Sequence, residues 1–115
     1  TIWIALDAVT EANGPVSYLK GSHRDGTREH RPSGVSGNSM GLATTPTHEE
    51  ADVLRGTLEP GDALIHHCET IHWSAPNQTD HARRALLMVF RGAQTVHDPN
   101  LKGAYDAARA TPTVA

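Results

Sequence analysis

The sequence has few of the residues that mark specialised classes of protein. It contains 1 cysteine, Cys68, which excludes an internal disulfide framework and favours a reducing cytoplasm as the location. No apolar run approaches the length of a membrane span, so we expect no membrane insertion. The 10 Lys and Arg residues are scattered and outnumbered by 13 Asp and Glu residues. The sequence therefore gives no indication of nucleic-acid binding.

Aromatic residues are also scarce, at 4% of the chain, although 37% of all residues are hydrophobic. That fraction is sufficient for a small core, and the length allows one domain. We therefore expect residues 1–115 to form a single domain whose polar tail is residues 92–115. The chain opens at Thr1 inside a predicted strand, without a methionine or a turn before it. This favours a piece of a longer protein.

Short strands separated by turn residues dominate the remaining pattern. Residues 1–7 alternate with period two, and Trp3 lies on the face opposite to Ile2 and Ile4, which is typical of a strand. Further strands are predicted at residues 16–19, 56–58, 63–67 and 83–91, and short helices at residues 48–54 and 101–110. The order of these elements predicts an all-β sandwich or barrel.

Residues 22–47 interrupt this pattern with Gly, Ser, Thr, Pro, Arg and His and few apolar residues. A stretch of this length without periodicity is typical of a functional lid or of disorder.

Three histidines and a glutamate follow the strand at residues 63–67; they are His66, His67, Glu69 and His72. Imidazole and carboxylate groups are ligands of divalent metals. Because His66 and His67 are neighbours on a strand, their side chains point to opposite faces, and only one can line a given site. One hypothesis is therefore a metal held by one of these two with Glu69 and His72.

A second metal-ligand pattern lies within the long loop. His23 and Asp25 reproduce the His-x-Asp part of the 2-His-1-carboxylate triad that holds non-haem iron, and His72 would be the third ligand. Such short patterns arise easily by chance in a chain with 8 histidines.

Two arginines open the strand at residues 83–91. Arg83 shares its face with Ala85 and Leu87, whereas Arg84 points to the other face and to solvent. A buried guanidinium needs an anionic partner, and its planar fork matches the two oxygens of a carboxylate. Arg83 is therefore a candidate carboxylate-binding residue.

The motifs together resemble the phytanoyl-CoA dioxygenase family. The segments that carry the resemblance are residues 3–7, 11–15, 20–23, 61–67 and 72–77, with Arg83 eleven residues after His72. The resemblance covers roughly residues 3–90. It implies a non-haem Fe(II), 2-oxoglutarate-dependent dioxygenase that hydroxylates a small molecule. The implied fold is a double-stranded β-helix, a jelly-roll barrel of the cupin type, here incomplete at its N-terminus.

The resemblance also implies roles for individual residues. His72 corresponds to a metal ligand, and Arg83 to the residue that pairs with the C5 carboxylate of 2-oxoglutarate. Ser74 lies beside that carboxylate, and Trp3 matches a tryptophan near the same cosubstrate.

Other positions match the family less specifically. His67 and Asn77 fall at recurrent positions near the site, without an assigned role. Residues 22–47 would be the substrate-facing lid, and they contain no basic cluster suited to the phosphates of CoA. We therefore do not expect an acyl-CoA substrate.

One departure from the family limits these expectations. The family's His-x-Asp/Glu pair lies upstream of the Trp3 position, and His23 with Asp25 does not correspond to it. With His72 alone, we expect neither tight iron binding nor activity from this chain by itself. Unpaired barrel edges invite a second chain, which predicts a homo-oligomer. The alternative function is a cupin-like barrel that binds a small carboxylate or a partner without redox chemistry.

Overall fold

Short antiparallel strands account for most of the regular structure. A computed structural model of the chain describes residues 1–35, 38–44 and 49–110. In these ranges the strands are β1 (Ile2–Ala5), β2 (Val16–Leu19), β3 (His30–Val35), β4 (Asn38–Leu42), β5 (Val53–Gly56), β6 (Ala63–Ile65), β7 (His72–Ser74) and β8 (Ala85–Met88), and the helix is α1 (Pro99–Ala110). Single turns of 3-10 helix lie at Glu11–Asn13, Ser22–Arg24 and Glu50–Asp52.

The chain divides into two units. The first contains the described residues of Thr1–Thr27 and Thr47–Phe90, and the second those of Arg28–Pro46 and Arg91–Ala115. The single domain expected over residues 1–115 remains a prediction.

Two three-stranded antiparallel sheets form the first unit. In one sheet β1 lies between β6 and β8, and in the other β2 lies between β5 and β7. The register places Trp3 of β1 opposite Leu64 and Leu87. It places Tyr18 of β2 opposite Leu54 and His72. Residues directly opposite one another in a sheet share a face, so these pairings determine which side chains meet.

The core of the first unit lies between the two sheets. Its buried apolar residues are Trp3, Ala5, Val9, Val16 and Tyr18, and Leu58, Leu64 and Ala85 pack against them. Gly56 allows this close approach, because a Cβ at that position would overlap the Cδ1 atom of Leu64. The chain is thus mainly β, with two facing antiparallel sheets consistent with a jelly roll, and the predicted fold class is confirmed.

The strand β2 has the bounds that its flanking residues predict. Gly14 and Gly21 both have a φ of 77°, a conformation that glycine adopts without a steric penalty. Gly14 ends the preceding 3-10 turn, and Gly21 follows the end of the strand. Between them, Val16 and Tyr18 face the core, as period-two alternation requires.

The second unit contains a hairpin and a helix. β3 and β4 pair antiparallel, with an irregularity between Pro32 and Val35. The predicted lid, residues 22–47, thus contains a hairpin rather than only irregular chain. Residues 36–37 and 45–47 of this segment lie outside the described residues. Its role as a lid remains a prediction. The helix predicted at residues 101–110 is confirmed as α1, and residues 111–115 of the predicted tail lie outside the described part.

Several predicted elements differ within the first unit. In place of the strand predicted at residues 56–58 the structure has β5 at Val53–Gly56, and the strands predicted at residues 63–67 and 83–91 are shorter, at Ala63–Ile65 and Ala85–Met88.

The predicted helix at residues 48–54 also differs. Residue 48, where the predicted helix begins, lies outside the described residues. Glu50–Asp52 forms a single 3-10 turn, and Val53 and Leu54 already belong to β5. Pairing with β2 determines this outcome, because the local helix signal is weaker than a full set of backbone pairs along a sheet edge. Across the described ranges, no helix combines the length and apolar character needed to cross a membrane.

Candidate functional site

The imidazole of His72 is held in one tautomer by the backbone. His72 begins β7, and its Nδ1 atom lies 2.7 Å from the carbonyl oxygen of Thr70. A carbonyl only accepts hydrogen bonds, so the proton resides on Nδ1 and donates to Thr70. The Nε2 atom then carries a free lone pair, which is the form of histidine that binds a metal. The side chain is exposed, so that lone pair is accessible.

His66, rather than His67, is the histidine beside His72. The centroids of the His66 and His72 rings are 4.8 Å apart. The Nδ1 atom of His66 is buried and has no hydrogen-bond partner in the part of the chain that the structure describes. Burial lowers the pKa of His66, and the nearby His72 lowers it further. At neutral pH this imidazole is therefore uncharged.

His67 turns away from His72. Its ring lies 6.0 Å from that of His23, measured between centroids. Its Nδ1 atom accepts the backbone N–H of Glu69 at 3.3 Å and lies 3.8 Å from that residue's carboxylate. Glu69 also accepts the hydroxyl of Thr27 at 2.8 Å. Both neighbouring histidines nevertheless line the same cavity, so the prediction that only one of them can line a given site is wrong. They lie beyond the end of β6, where the alternation of strand side chains no longer applies.

His23 and Asp25 stand at a 3-10 turn. His23 lies within the turn Ser22–Arg24, and the backbone N–H of Asp25 closes that turn on the carbonyl of Ser22. In residues 1–35, 38–44 and 49–110, no three His, Cys, Asp or Glu side chains form a group able to hold a metal ion. The described chain thus assembles neither His72 with His23 and Asp25 nor the alternative with Glu69.

Arg83 is packed against the core tryptophan. Its guanidinium carbon lies 5.7 Å from the centroid of the Trp3 ring, within the range of a cation–π contact. The Nε atom of Arg83 is buried, and no described residue accepts a hydrogen bond from it. Trp3 is 7% exposed, so it is both a core residue and a support for the guanidinium. A buried donor without an acceptor is the arrangement expected where an anion binds.

The neighbouring Arg84 has a different environment. Its side chain is exposed and forms two hydrogen bonds with Asp7, from Nε at 2.9 Å and from Nη2 at 2.7 Å. The different faces predicted for Arg83 and Arg84 are thus present. Arg84 is exposed, as predicted, and in addition it pairs with a carboxylate through two hydrogen bonds.

Ser74 and Asn77 follow His72 in the chain. Ser74 is two residues after His72 on β7 and therefore shares its face; it lies opposite Val16 of β2. Asn77 holds the next turn together, because its amide donates to the carbonyl of His81 at 2.7 Å and its oxygen accepts from Thr79 at 2.8 Å. The contacts of Asn77 are those of a turn residue.

Tyr18 is a site residue that the sequence did not reveal. Its ring lies 5.1 Å from that of His66 and 6.0 Å from that of His72. Its hydroxyl is buried without a partner in residues 1–35, 38–44 and 49–110, and burial raises its pKa. The only sequence signal was its position on the same strand face as Val16, which indicates burial but not a polar contact.

One cavity in the first unit has a volume of about 350 Å³ and is lined by Tyr18, His23, His66 and His67. The remaining lining residues are Leu19, Lys20, Gly21, Leu54, Leu64, Ile65 and Thr70. Most of this wall is apolar. A volume of this size suits a small organic molecule.

Comparisons with known proteins identify the family of the chain. The model of the phytanoyl-CoA dioxygenase (PhyH) family matches residues 1–85. A protein of Stutzerimonas stutzeri named "probable alpha-ketoglutarate-dependent hypophosphite dioxygenase" is 33% identical, over 81% of this chain and 34% of its own length. The 1-deoxypentalenic acid 11-beta-hydroxylase of Streptomyces arenae is 36% identical, over 67% of this chain and 29% of its own length.

A solved structure is similar as well. The apo structure of ThoJ, a non-heme monooxygenase, has a TM-score of 0.58 and 34% sequence identity, covering 73% of this chain and 29% of that protein. The chain spans about a third of the length of the curated relatives it matches.

Proposed function

Because the chain belongs to the phytanoyl-CoA dioxygenase family, we propose that the whole protein is a non-haem Fe(II), 2-oxoglutarate-dependent oxygenase that hydroxylates a small molecule. The observation that supports this most is the state of His72, whose Nε2 lone pair is free because Nδ1 donates to Thr70. Iron and 2-oxoglutarate supply the oxidising chemistry when bound. The residues of this chain would bind and orient those groups and exclude water from them.

In this proposal His72 is one of the metal ligands. The described residues contain no group of three His, Cys, Asp or Glu side chains suited to a metal. The described residues can supply one imidazole ligand to an iron ion, but not a complete set of ligands. We therefore expect the described residues alone to bind Fe(II) weakly and to show no turnover.

Arg83 is proposed to bind the C5 carboxylate of 2-oxoglutarate. Its buried Nε donor has no acceptor among the described residues, and a guanidinium pairs with a carboxylate through two parallel hydrogen bonds. Trp3 would fix the plane of that guanidinium. Ser74 is proposed as a further hydroxyl donor to the carboxylate.

The remaining proposals concern the protein around the site. Residues 22–47 are proposed as the substrate-facing lid. We propose the cytoplasm as the location, because the single cysteine is exposed and free, as is usual in a reducing compartment. We also propose that the chain self-associates, because β6 and β8 are edge strands of their sheet and edges accept further strands.

A second candidate function is the binding of a small carboxylate or a partner without redox chemistry. It is favoured by one observation, the lack of a three-ligand group among the described residues. In this case Arg83 would still bind the carboxylate, but neither Fe(II) nor His72 would contribute.

Anaerobic titration with 2-oxoglutarate, with and without Fe(II), tests both candidates. The variants are Arg83→Ala, His72→Ala and, as the matched control, Arg84→Ala. The oxygenase proposal expects affinity that rises with Fe(II), is lost in Arg83→Ala, and no longer responds to Fe(II) in His72→Ala. Arg84→Ala should retain the wild-type behaviour. Binding that ignores Fe(II) and His72 but needs Arg83 supports the second candidate, and equal binding by Arg83→Ala and wild type contradicts both roles of Arg83.

A further inference from the structure

The hydroxyl of Ser22 forms part of the pairing between β2 and β7. The backbone N–H of Leu19, the last residue of β2, donates to the carbonyl of Ile71 at 2.9 Å. The N–H of Ile71 donates to Oγ of Ser22 at 2.9 Å, and this hydroxyl donates to the carbonyl of Leu19 at 2.8 Å. Opposed residues of antiparallel strands usually exchange both bonds directly. The Ser22 hydroxyl thus bridges the second bond, immediately before His72 begins β7.

Ser22 is buried by the turn that it begins. It is 3% exposed and is the first residue of the 3-10 turn Ser22–Arg24. Gly21 before it has a φ of 77°, so the chain reverses at the end of β2 and the hydroxyl returns to Leu19. A serine hydroxyl has one proton to donate, and here that proton is committed to the backbone. The first residue of the predicted lid therefore faces the two strands and is not available to a substrate.

Ile71, which Ser22 holds, lies between the two groups that orient His72. The carbonyl of Thr70 precedes it, and the imidazole whose Nδ1 atom lies 2.7 Å from that carbonyl follows it. The distance between these groups depends on the backbone torsions of Ile71, because no other residue separates them in the chain. The bonds to Leu19 and Ser22 fix both sides of Ile71, its carbonyl and its N–H. Removing the Ser22 hydroxyl frees the N–H side and loosens the contact between Thr70 and His72.

We propose that Ser22 is a positioning residue for His72. Its hydroxyl holds the backbone of Ile71 so that the carbonyl of Thr70 keeps the His72 proton on Nδ1 and leaves Nε2 unprotonated. Without this restraint, an exposed imidazole exchanges between its two neutral tautomers in water. The value of a free Nε2 atom for iron rests on the proposed function, but the restraint itself acts in the chain without iron.

The test observes the His72 tautomer directly. The histidine rings are labelled with ¹⁵N, and NMR spectra of the chain are recorded without metal at about pH 8, above the usual pKa of histidine. A single tautomer gives one protonated and one unprotonated nitrogen signal, whereas exchange between tautomers averages the two. The signals that disappear in His72→Ala are those of His72.

Two substitutions remove the bridge, and one serves as the matched control. Ser22→Ala deletes the hydroxyl, and Ser22→Cys fills its space with a weaker donor and acceptor. Ser17 is also a buried serine, 8% exposed, but it lies on the face of β2 opposite to the core-facing Tyr18. Ser17→Ala therefore removes a buried hydroxyl from the same strand without touching the bridge.

We expect a single His72 tautomer with the proton on Nδ1 in the wild type and in Ser17→Ala. Both Ser22 variants should give averaged nitrogen signals for His72. The amide of Ile71 should be protected from hydrogen exchange in the wild type and lose that protection in Ser22→Ala. In the anaerobic titration, the Fe(II) concentration at half-saturation should rise at least about tenfold in both Ser22 variants, the usual effect of losing a group that orients a metal ligand.

Three results would overturn the proposal. They are averaged His72 signals in the wild type, an unchanged single tautomer in the Ser22 variants, and an unprotected Ile71 amide in the wild type. The last needs no substitution, so it decides the question even where a variant does not fold. A chain that binds no Fe(II) would contradict the proposed function and leave the tautomer results unaffected, so the two proposals fail separately.

Discussion

Tyr18 and His72 lie directly opposite one another on β2 and β7, with their ring centroids 6.0 Å apart and 26° between the ring planes. The contact joins a core residue to an exposed one. The backbone carbonyl of Thr70 fixes the tautomer of His72 from one side, and the Tyr18 ring limits its movement from the other. The core of the first unit thus orients the imidazole proposed to bind iron.

The unpartnered hydroxyl of Tyr18 predicts a cost in stability. A buried donor without an acceptor destabilises the folded state by about 1–3 kcal/mol. We therefore expect Tyr18→Phe to raise the free energy of unfolding by about 1 kcal/mol, measured by urea denaturation. Tyr105→Phe is the control, because Tyr105 is 43% exposed, and it should change stability little. A marked loss of stability in Tyr18→Phe would mean that the hydroxyl has a structural partner.

The pairing of Asp7 with Arg84 predicts how stability depends on pH. Hydrogen bonds from the Arg84 side chain, then from its backbone N–H, lower the pKa of Asp7 from 3.8 to about 2. The unfolded state therefore binds more protons in this range, and stability rises with pH. The contribution of Asp7 is complete above about pH 4 and is lost as the pH falls to about 2.

Comparison with Asp7→Asn isolates that contribution. Thermal unfolding between about pH 2 and pH 5 should show a smaller loss of stability on acidification in the variant than in the wild type. The two curves should converge at the acidic end. Asp80→Asn removes an exposed carboxylate elsewhere in the first unit and should follow the wild type. Parallel curves for wild type and Asp7→Asn would refute the role of this pair.

Gly14 and Gly21 predict a difference between two alanine substitutions. Both residues have a φ of 77°, so alanine at either position costs about 1 kcal/mol of backbone strain. A Cβ at Gly14 would also overlap the carbonyl oxygen of Ala75, whereas at Gly21 no atom lies within 4 Å. We expect Gly14→Ala to be less stable than Gly21→Ala by about 1–3 kcal/mol, as for other overpacked sites. Equal losses in denaturant titrations would contradict this close packing beside β7.

Local sequence signals predicted the parts of the fold that depend on neighbouring residues. The bounds of β2 follow from the two flanking glycines, and the opposite faces of Arg83 and Arg84 follow from strand alternation. β5 did not follow, because Val53 and Leu54 are recruited by pairing with β2 rather than by their own propensity. The hairpin β3–β4 was missed because its strands lack the apolar alternation that identifies a strand.

The candidate site was predictable to a similar extent. His72 and Arg83 are recognisable from their spacing within a family motif. The meeting of Tyr18 with His66 was not recognisable, because Tyr18 lies on β2 and His66 follows β6 of the other sheet, and the two come together only when the sheets pack. The same cause determines which histidine of the pair accompanies His72. Strand alternation does not separate the two, because both lie beyond β6 and line the same cavity.

Self-association is the last prediction, and it depends on the sheet that contains β1. In the part of the chain that the structure describes, β6 and β8 pair only with β1. Ile65 on β6 and Leu86 on β8 are 77% and 49% exposed. Unpaired edges with exposed apolar residues favour pairing with a second chain, and a lysine at such an edge opposes it.

Sedimentation of the wild type should therefore show dimers or larger species that increase with concentration, and Ile65→Lys should shift the chain toward monomer. Val96→Lys introduces the same charge at a residue of the second unit that is 87% exposed, so it should leave the association unchanged. A wild type that stays monomeric at all concentrations, or equal effects of the two lysines, would show that this edge does not mediate association.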